Sequence, residues 1–216
     1  MISLNFRLET GKGFRILCIG AHSDDIEIGC GGTILRLAEH YPCCEFHWVV
    51  FNATGEREIE ARRAAQLFAG SHLVGPSLMR FQDGFMPYVG GEVKATFEND
   101  LKHLAPDLIF THNGDDAHQD HRLISGLTWN TFRDHFILEY EIPKYDGDLG
   151  RPTIFVPLDR QACETKVAYL MEAFESQKTK RWFQPDVFFS LMRLRGMECA
   201  APSGYAEAFY CRKLVL

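Results

Sequence analysis

Apolar runs with no polar face alternate along this chain with segments whose apolar positions recur at helical spacing. Residues 15–20, RILCIG, are short, apolar and rich in Ile, Leu and Cys, which suits a strand buried on both faces of a parallel sheet. Similar runs predict strands at 46–51, within 72–81, at 107–111, 136–143 and 153–157, and a closing strand over 206–216. Helical spacing predicts helices over 33–40, 56–70, 93–105, 121–132 and 161–180, with stops at Pro42, Gly70 and Pro106. Val167, Leu170, Met171 and Phe174 form the core stripe of the last helix, and an edge strand is expected over residues 2–8. Strands alternating with helices predict an α/β fold with a parallel sheet.

Chemistry follows directly on two of these strands. The first breaks into Ala21, His22, Ser23, Asp24 and Asp25, and then into Gly29, Gly31 and Gly32. In an open α/β sheet the carboxyl ends of the strands face the ligand crevice, so His22, Asp24 and Asp25 are delivered there together. The glycines are expected to let the backbone approach whatever occupies the crevice, and Thr33 to cap the helix after them. The second stretch, residues 111–122, reads THNGDDAHQDHR and offers His118 and His121 on one helical face with Asp120 between them.

Polar groups stacked at buried strand ends need compensation for their lost solvation, and a metal ion provides it. A catalytic zinc typically takes three nitrogen or oxygen ligands from the protein and keeps one position for water. A lone His-x-x-His is weak and adjacent aspartates usually form a solvated turn. The conjunction of His-x-Asp-Asp, a glycine cluster and His-x-Asp-His, with each polar motif after an apolar strand, points to a single divalent metal.

Ala21-His22-Ser23-Asp24-Asp25-Ile26-Glu27 with Gly29-Cys30-Gly31-Gly32 resembles the AHPDD(x)E(x)GxGG signature of the PIG-L/LmbE-like zinc N-deacetylases, and His118-Gln119-Asp120-His121 resembles their HPDH. The resemblance implies a Rossmann-like three-layer sandwich, with a mostly parallel sheet and helices on both faces, and hydrolysis of an N-acyl group on an amino sugar or sugar conjugate. Position by position it implies His22, Asp25 and His121 as zinc ligands and Asp24 as general base. His118 would stabilise or protonate the tetrahedral intermediate, oriented by Asp120. Ser23 and Gln119 stand where the family usually has proline, at linker positions. His112 is an alternative ligand ranked below His121, read instead as a strand-end residue with a hydrogen bond.

Further residues carry two readings each. Arg57 either forms a helical pair with Glu60 or leans into the crevice to bind substrate, as an Arg-x-x-Glu position does in members of the resembled family. Asp83 either hydrogen-bonds sugar hydroxyls or starts a turn at Asp-Gly. Asp115 and Asp116 read as loop solvation or helix caps, and residues 145–151 as a surface loop suited to substrate specificity.

Composition narrows the setting. A chain of 216 residues suits a single domain over 1–216. A net charge of -6 argues against nucleic-acid binding. No apolar run has transmembrane length and no signal segment opens the chain. Seven cysteines without a CxxC pair argue against a disulfide framework, so the reducing cytoplasm is the expected compartment. A homo-oligomer is compatible with all of this.

A dinucleotide oxidoreductase is disfavoured because no G-x-G-x-x-G joins strand to helix, and His-x-Asp-Asp would repel pyrophosphate. A two-His, one-carboxylate iron oxygenase usually uses an all-β frame. The activity that the resemblance implies is removal of an N-acetyl or other N-acyl group from a small amino-sugar metabolite, with Zn2+ as cofactor and Fe2+ or another divalent ion as its alternative. The competing reading is a metal-binding protein of the same fold that acts on another amide or serves as a non-catalytic binding module.

Overall fold

The computed structural model describes residue 6 and residues 12–215. The edge strand expected over 2–8 lies outside the described residues. β1 (Phe14–His22) is buried at every position but Arg15. It pairs in parallel with β2 (Cys44–Asn52) on one side and β4 (Leu108–His112) on the other. β3 (Leu73–Leu78) and β5 (Ile137–Tyr140) extend the two sides in parallel. β7 (Tyr205–Tyr210) runs antiparallel between β5 and β6 (Ile154–Leu158).

The strand order is β3-β2-β1-β4-β5-β7-β6. The chain moves outward from β1 through β2 to β3 and then returns to β1's other side as β4. That reversal opens a crevice at the carboxyl ends of β1 and β4, where open α/β sheets bind ligands. His22 and His112 are the last residues of those two strands.

Alternation along the buried strands feeds two cores. Ile16, Cys18, Phe46, Trp48 and Val50 face one side, packed beneath α1 (Asp25–His40), α2 (Glu56–Ala69), α5 (Arg160–Ala173) and α6 (Pro185–Glu198). Leu17, Ile19, Val49 and Phe51 face the other, beneath α3 (Gly90–Thr96) and α4 (Gln119–Thr131). The result is the three-layer, mostly parallel α/β sandwich that the resemblance implies. No helix among the described residues is long and apolar enough to cross a membrane.

Three elements differ from the sequence expectation. α1 begins at Asp25 rather than near Thr33, and bends at Cys30, where φ is -142°. At the bend the Glu207 carboxylate of β7 accepts hydrogen bonds from Gly32 N (2.8 Å) and Thr33 N (2.6 Å), the capping expected of Thr33 itself. The glycines make room for side chains and not for a ligand: an added Cβ would lie 2.3 Å from the Tyr140 ring at Gly29 and 2.5 Å from Phe68 at Gly31.

The helix expected over 161–180 stops at Ala173, because buried Phe174 leaves helical geometry and Glu60 of α2 takes the Ser176 N–H and hydroxyl. Pro185, at a first-turn position where its missing N–H costs nothing, then opens the further helix α6. The helix expected over 93–105 begins at Gly90 and passes into a π-helical turn, Phe97–Leu101, which keeps Phe97 and Leu101 buried.

Candidate metal centre

His22 ends β1, Asp24 occupies the N-cap position of α1 and Asp25 is that helix's first residue. Asp25 Oδ2 accepts the His22 N–H at 2.6 Å, which folds the carboxylate back over the strand end. His121, in the first turn of α4, brings Nε2 to 3.1 Å from His22 Nδ1 and 3.5 Å from Asp25 Oδ1. His22 Nδ1 lies 3.3 Å from Asp25 Oδ2. Tetrahedral zinc holds such ligands at about 2.0–2.1 Å, so neighbouring donors stand about 3.3 Å apart. These donors lie within a His/Asp cluster, with His112 and His118 beside them, that could hold a small divalent cation.

The outer nitrogens of both imidazoles support the same fit. His121 Nδ1 lies 3.0 Å from Asp116 Oδ2, and His22 Nε2 lies 3.3 Å from Asp120 Oδ2 and 3.1 Å from Asp83 Oδ1. Carboxylates there hold the proton on the far side of each ring and leave a lone pair aimed at the centre. Burial alone would lower the His22 imidazole, but Asp25, Asp120 and Asp83 raise it well above its ordinary value. Burial would push the Asp25 carboxyl up, yet His121, His112 and His22 hold it well below the usual range. The field that favours a proton here also favours a metal cation.

Asp24 is buried, and its Oδ1 accepts from Arg57 Nη2 at 2.5 Å. Arg57 therefore does not pair with Glu60, which is engaged by Ser176; it points to the crevice from the start of α2. Burial works against its charge, but Asp24, Asp25 and Asp83 hold its pKa above the ordinary arginine value.

His118 caps α4, with Nδ1 accepting from Asp120 N at 3.3 Å. That bond leaves the proton on Nε2, and burial together with His121 and His22 lowers its pKa, so it stays neutral. The carboxylate of Asp120 does not hold His118 as the resemblance implied. It faces His22 and accepts from Gly84 N (2.7 Å) and Met86 N (3.2 Å), because the 83–86 turn packs over α4's first turn. Asp83 sits in that turn with its side chain 60% exposed, and the bond to His22 brings its pKa to about 2.

Asp116 is 3% exposed, which corrects the loop-solvation alternative; its Oδ1 accepts the His118 N–H at the start of α4, as the capping alternative has it, and its Oδ2 bonds His121, a contact that the sequence expectation lacks. Its closeness in sequence to two histidines is the only signal, and a solvated turn reads identically. His112 accepts the Ala21 N–H on Nε2 at 2.9 Å, the strand-end bond expected of it. At the two positions usually held by proline, Ser23 Oγ donates to Asn52 O (3.1 Å) and Gln119 Nε2 to Gly84 O (2.7 Å), so side-chain bonds tie both loops.

A family model described as PIG-L, GlcNAc-PI de-N-acetylase, matches residues 17–132, which contain both loops. Over 139 residues the chain is 27% identical to YaiS, an uncharacterized deacetylase of Escherichia coli (strain K12), spanning 59% of this chain and 74% of that protein. N,N'-diacetylchitobiose deacetylase from Pyrococcus horikoshii superposes with a TM-score of 0.70 at 19% identity, covering 91% of this chain and 83% of that one. GalB, the 4-carboxy-2-hydroxymuconate hydratase of Pseudomonas putida KT2440, also superposes with a TM-score of 0.70, at 17% identity over 94% of this chain and 98% of that one. Such structural likenesses show a shared fold. A deacetylase and a hydratase on one fold leave the reaction to be argued from side chains.

Proposed function

We propose, from the premise that this chain belongs to the PIG-L family of GlcNAc-PI de-N-acetylases, that it is a zinc-dependent hydrolase removing the N-acetyl group of an amino sugar or sugar-containing metabolite. The observation that carries the reading is the convergence of His22 Nδ1, His121 Nε2 and the Asp25 carboxylate at 3.1–3.5 Å. These three residues would hold the metal. When bound, zinc supplies a Lewis acid that polarises the amide carbonyl and brings the acidity of water toward neutrality.

The remaining steps belong to side chains. Asp24, beside Asp25 and free of the metal, takes a proton from the attacking water as its oxygen bonds to the carbonyl carbon. His118, neutral with its proton on Nε2, donates to the developing oxyanion. The C–N bond then breaks, and the proton gathered by Asp24 passes to the leaving nitrogen, giving acetate and a free amine. Arg57 and Asp83, one cationic and one anionic at the same mouth, bind the substrate's hydroxyl and acyl oxygens.

The test is metal content by elemental mass spectrometry, with amine release from N-acetylglucosamine conjugates measured on the same sample. About one zinc per chain with release supports the reading. Metal without release on any N-acyl sugar favours a binding module, and no metal after reconstitution overturns the assignment.

A further inference from the structure

One tether on the metal centre runs through Asp116 to a lysine outside both stretches. Asp116 Oδ2, which holds His121 Nδ1, also accepts from Lys144 Nζ at 3.0 Å. Lys144 bonds in turn to Asp148 Oδ2, and the same oxygen accepts the Ala117 N–H at 2.7 Å. The side chains of Lys144, Asp116 and Asp148 are 10%, 3% and 13% exposed, so this stitch is desolvated. One carboxylate oxygen thus joins the 144–150 segment to the imidazole at the centre.

We propose that Lys144 is a positioning residue that couples metal capture at His121 to closure of the 144–150 segment; this rests on His121 being a metal ligand. Lys144 sets a counter-charge against the buried Asp116 carboxylate, which also takes the His118 N–H and faces His121. When the segment lifts, Lys144 leaves and Asp116 loses both its counter-charge and one of the bonds that fix its orientation. His121 then loses the partner that keeps its Nε2 lone pair aimed at the centre. By linkage, the factor by which closure strengthens metal binding is the factor by which metal strengthens closure. Repulsion between Lys144 and the metal opposes this effect. Lys144 touches the carboxylate directly, whereas the metal lies beyond both carboxylate and imidazole, so the direct contact wins.

The experiment uses the full chain stripped of metal, with zinc ion as the probe. Zinc affinity is measured by competition with a chromogenic chelator, and amide exchange at Ala117 and His118 by NMR with and without zinc. Lys144→Met is expected to weaken zinc about tenfold or more and to abolish the slowing of Ala117 exchange that zinc produces in the parent, while Lys144→Arg restores most of both. Affinity for Lys144→Met equal to or tighter than the parent's, or an unchanged zinc response at Ala117, overturns the coupling. Should Lys144→Met not fold, Asp148→Ala decides through zinc affinity: weaker zinc supports the coupling, and unchanged or tighter zinc overturns it. His121→Ala separates the two claims. If it binds zinc as the parent does, the ligand reading fails; if it loses zinc while Lys144→Met keeps it, only the coupling fails.

Discussion

Arg57 donates to Asp24 Oδ1 across 2.5 Å, so the carboxylate next to Asp25 is held by a cation contributed from a different helix. The contact sets a positive charge against one of two adjacent buried carboxylates.

Asp24→Ala removes the proposed base without touching the three converging donors. Zinc content is expected to stay near one per chain while kcat falls about 10²–10⁴-fold. Retained turnover would remove Asp24 from that role.

Arg57→Ala removes a charged donor at the crevice mouth. A loss of about 1.5–3 kcal/mol is expected in transition-state binding, read as kcat/KM. Arg57→Lys recovers part of it, because a point charge can replace the attraction but not the planar fork. An unchanged kcat/KM in the alanine variant would leave Arg57 as a purely structural partner of Asp24.

Asp116→Asn keeps the shape behind His121 but weakens its acceptor. Zinc affinity is expected to drop about 10–100-fold. Chelation of the parent protein should lower its unfolding temperature, since a ligand present at 100 times its Kd stabilises by about 2.7 kcal/mol. Chelator competition and calorimetry check both, and identical melting with and without zinc would speak against a resident metal.

Gly29→Ala places a Cβ 2.3 Å from Tyr140, whose hydroxyl bonds Ile19 O at 2.7 Å beneath the site. Overpacking is expected to cost about 1–3 kcal/mol in urea unfolding. Gly91→Ala, in α3 with open space around it, should be neutral or stabilising by about 0.4–1 kcal/mol. Equal effects at the two positions would argue against the packing role of the motif glycines.

Glu207→Ala strips the counter-charge from Lys166, which is 3% exposed and bonded to Glu207 at 2.6 Å, and of its bonds to Glu207 and Ile28 O leaves only the second. It also uncaps the bend of α1 at Gly32 and Thr33. A loss of about 3–5 kcal/mol is expected, much of it recovered in the Lys166→Met, Glu207→Leu double variant. Urea unfolding of the single and double variants checks this, and an additive double loss would contradict it.

The α/β class and the two loops were legible in the sequence by itself, from local patterns alone: buried strands without a polar face, with His-x-Asp-Asp at the end of one and His-x-Asp-His in the stretch that follows another. The sequence also named the groups that meet at the centre, since each lies in one of the two polar motifs: His22 and Asp25 at the end of β1, and His121 in the first turn of α4. Tertiary structure decided who holds whom. Arg57 takes Asp24 and leaves Glu60 to Ser176; Asp120 turns to His22 and not to His118; Asp116, read as a loop or capping residue, and Lys144, which carries no sequence signal, stand behind His121. The glycine cluster reads the same whether a ligand or an aromatic ring lies against it, and only the packing of Tyr140 and Phe68 distinguishes the two. A carboxylate's partner depends on which elements fold over it, and contacts such as Gly32 with Glu207 join residues too far apart for periodicity or spacing to register.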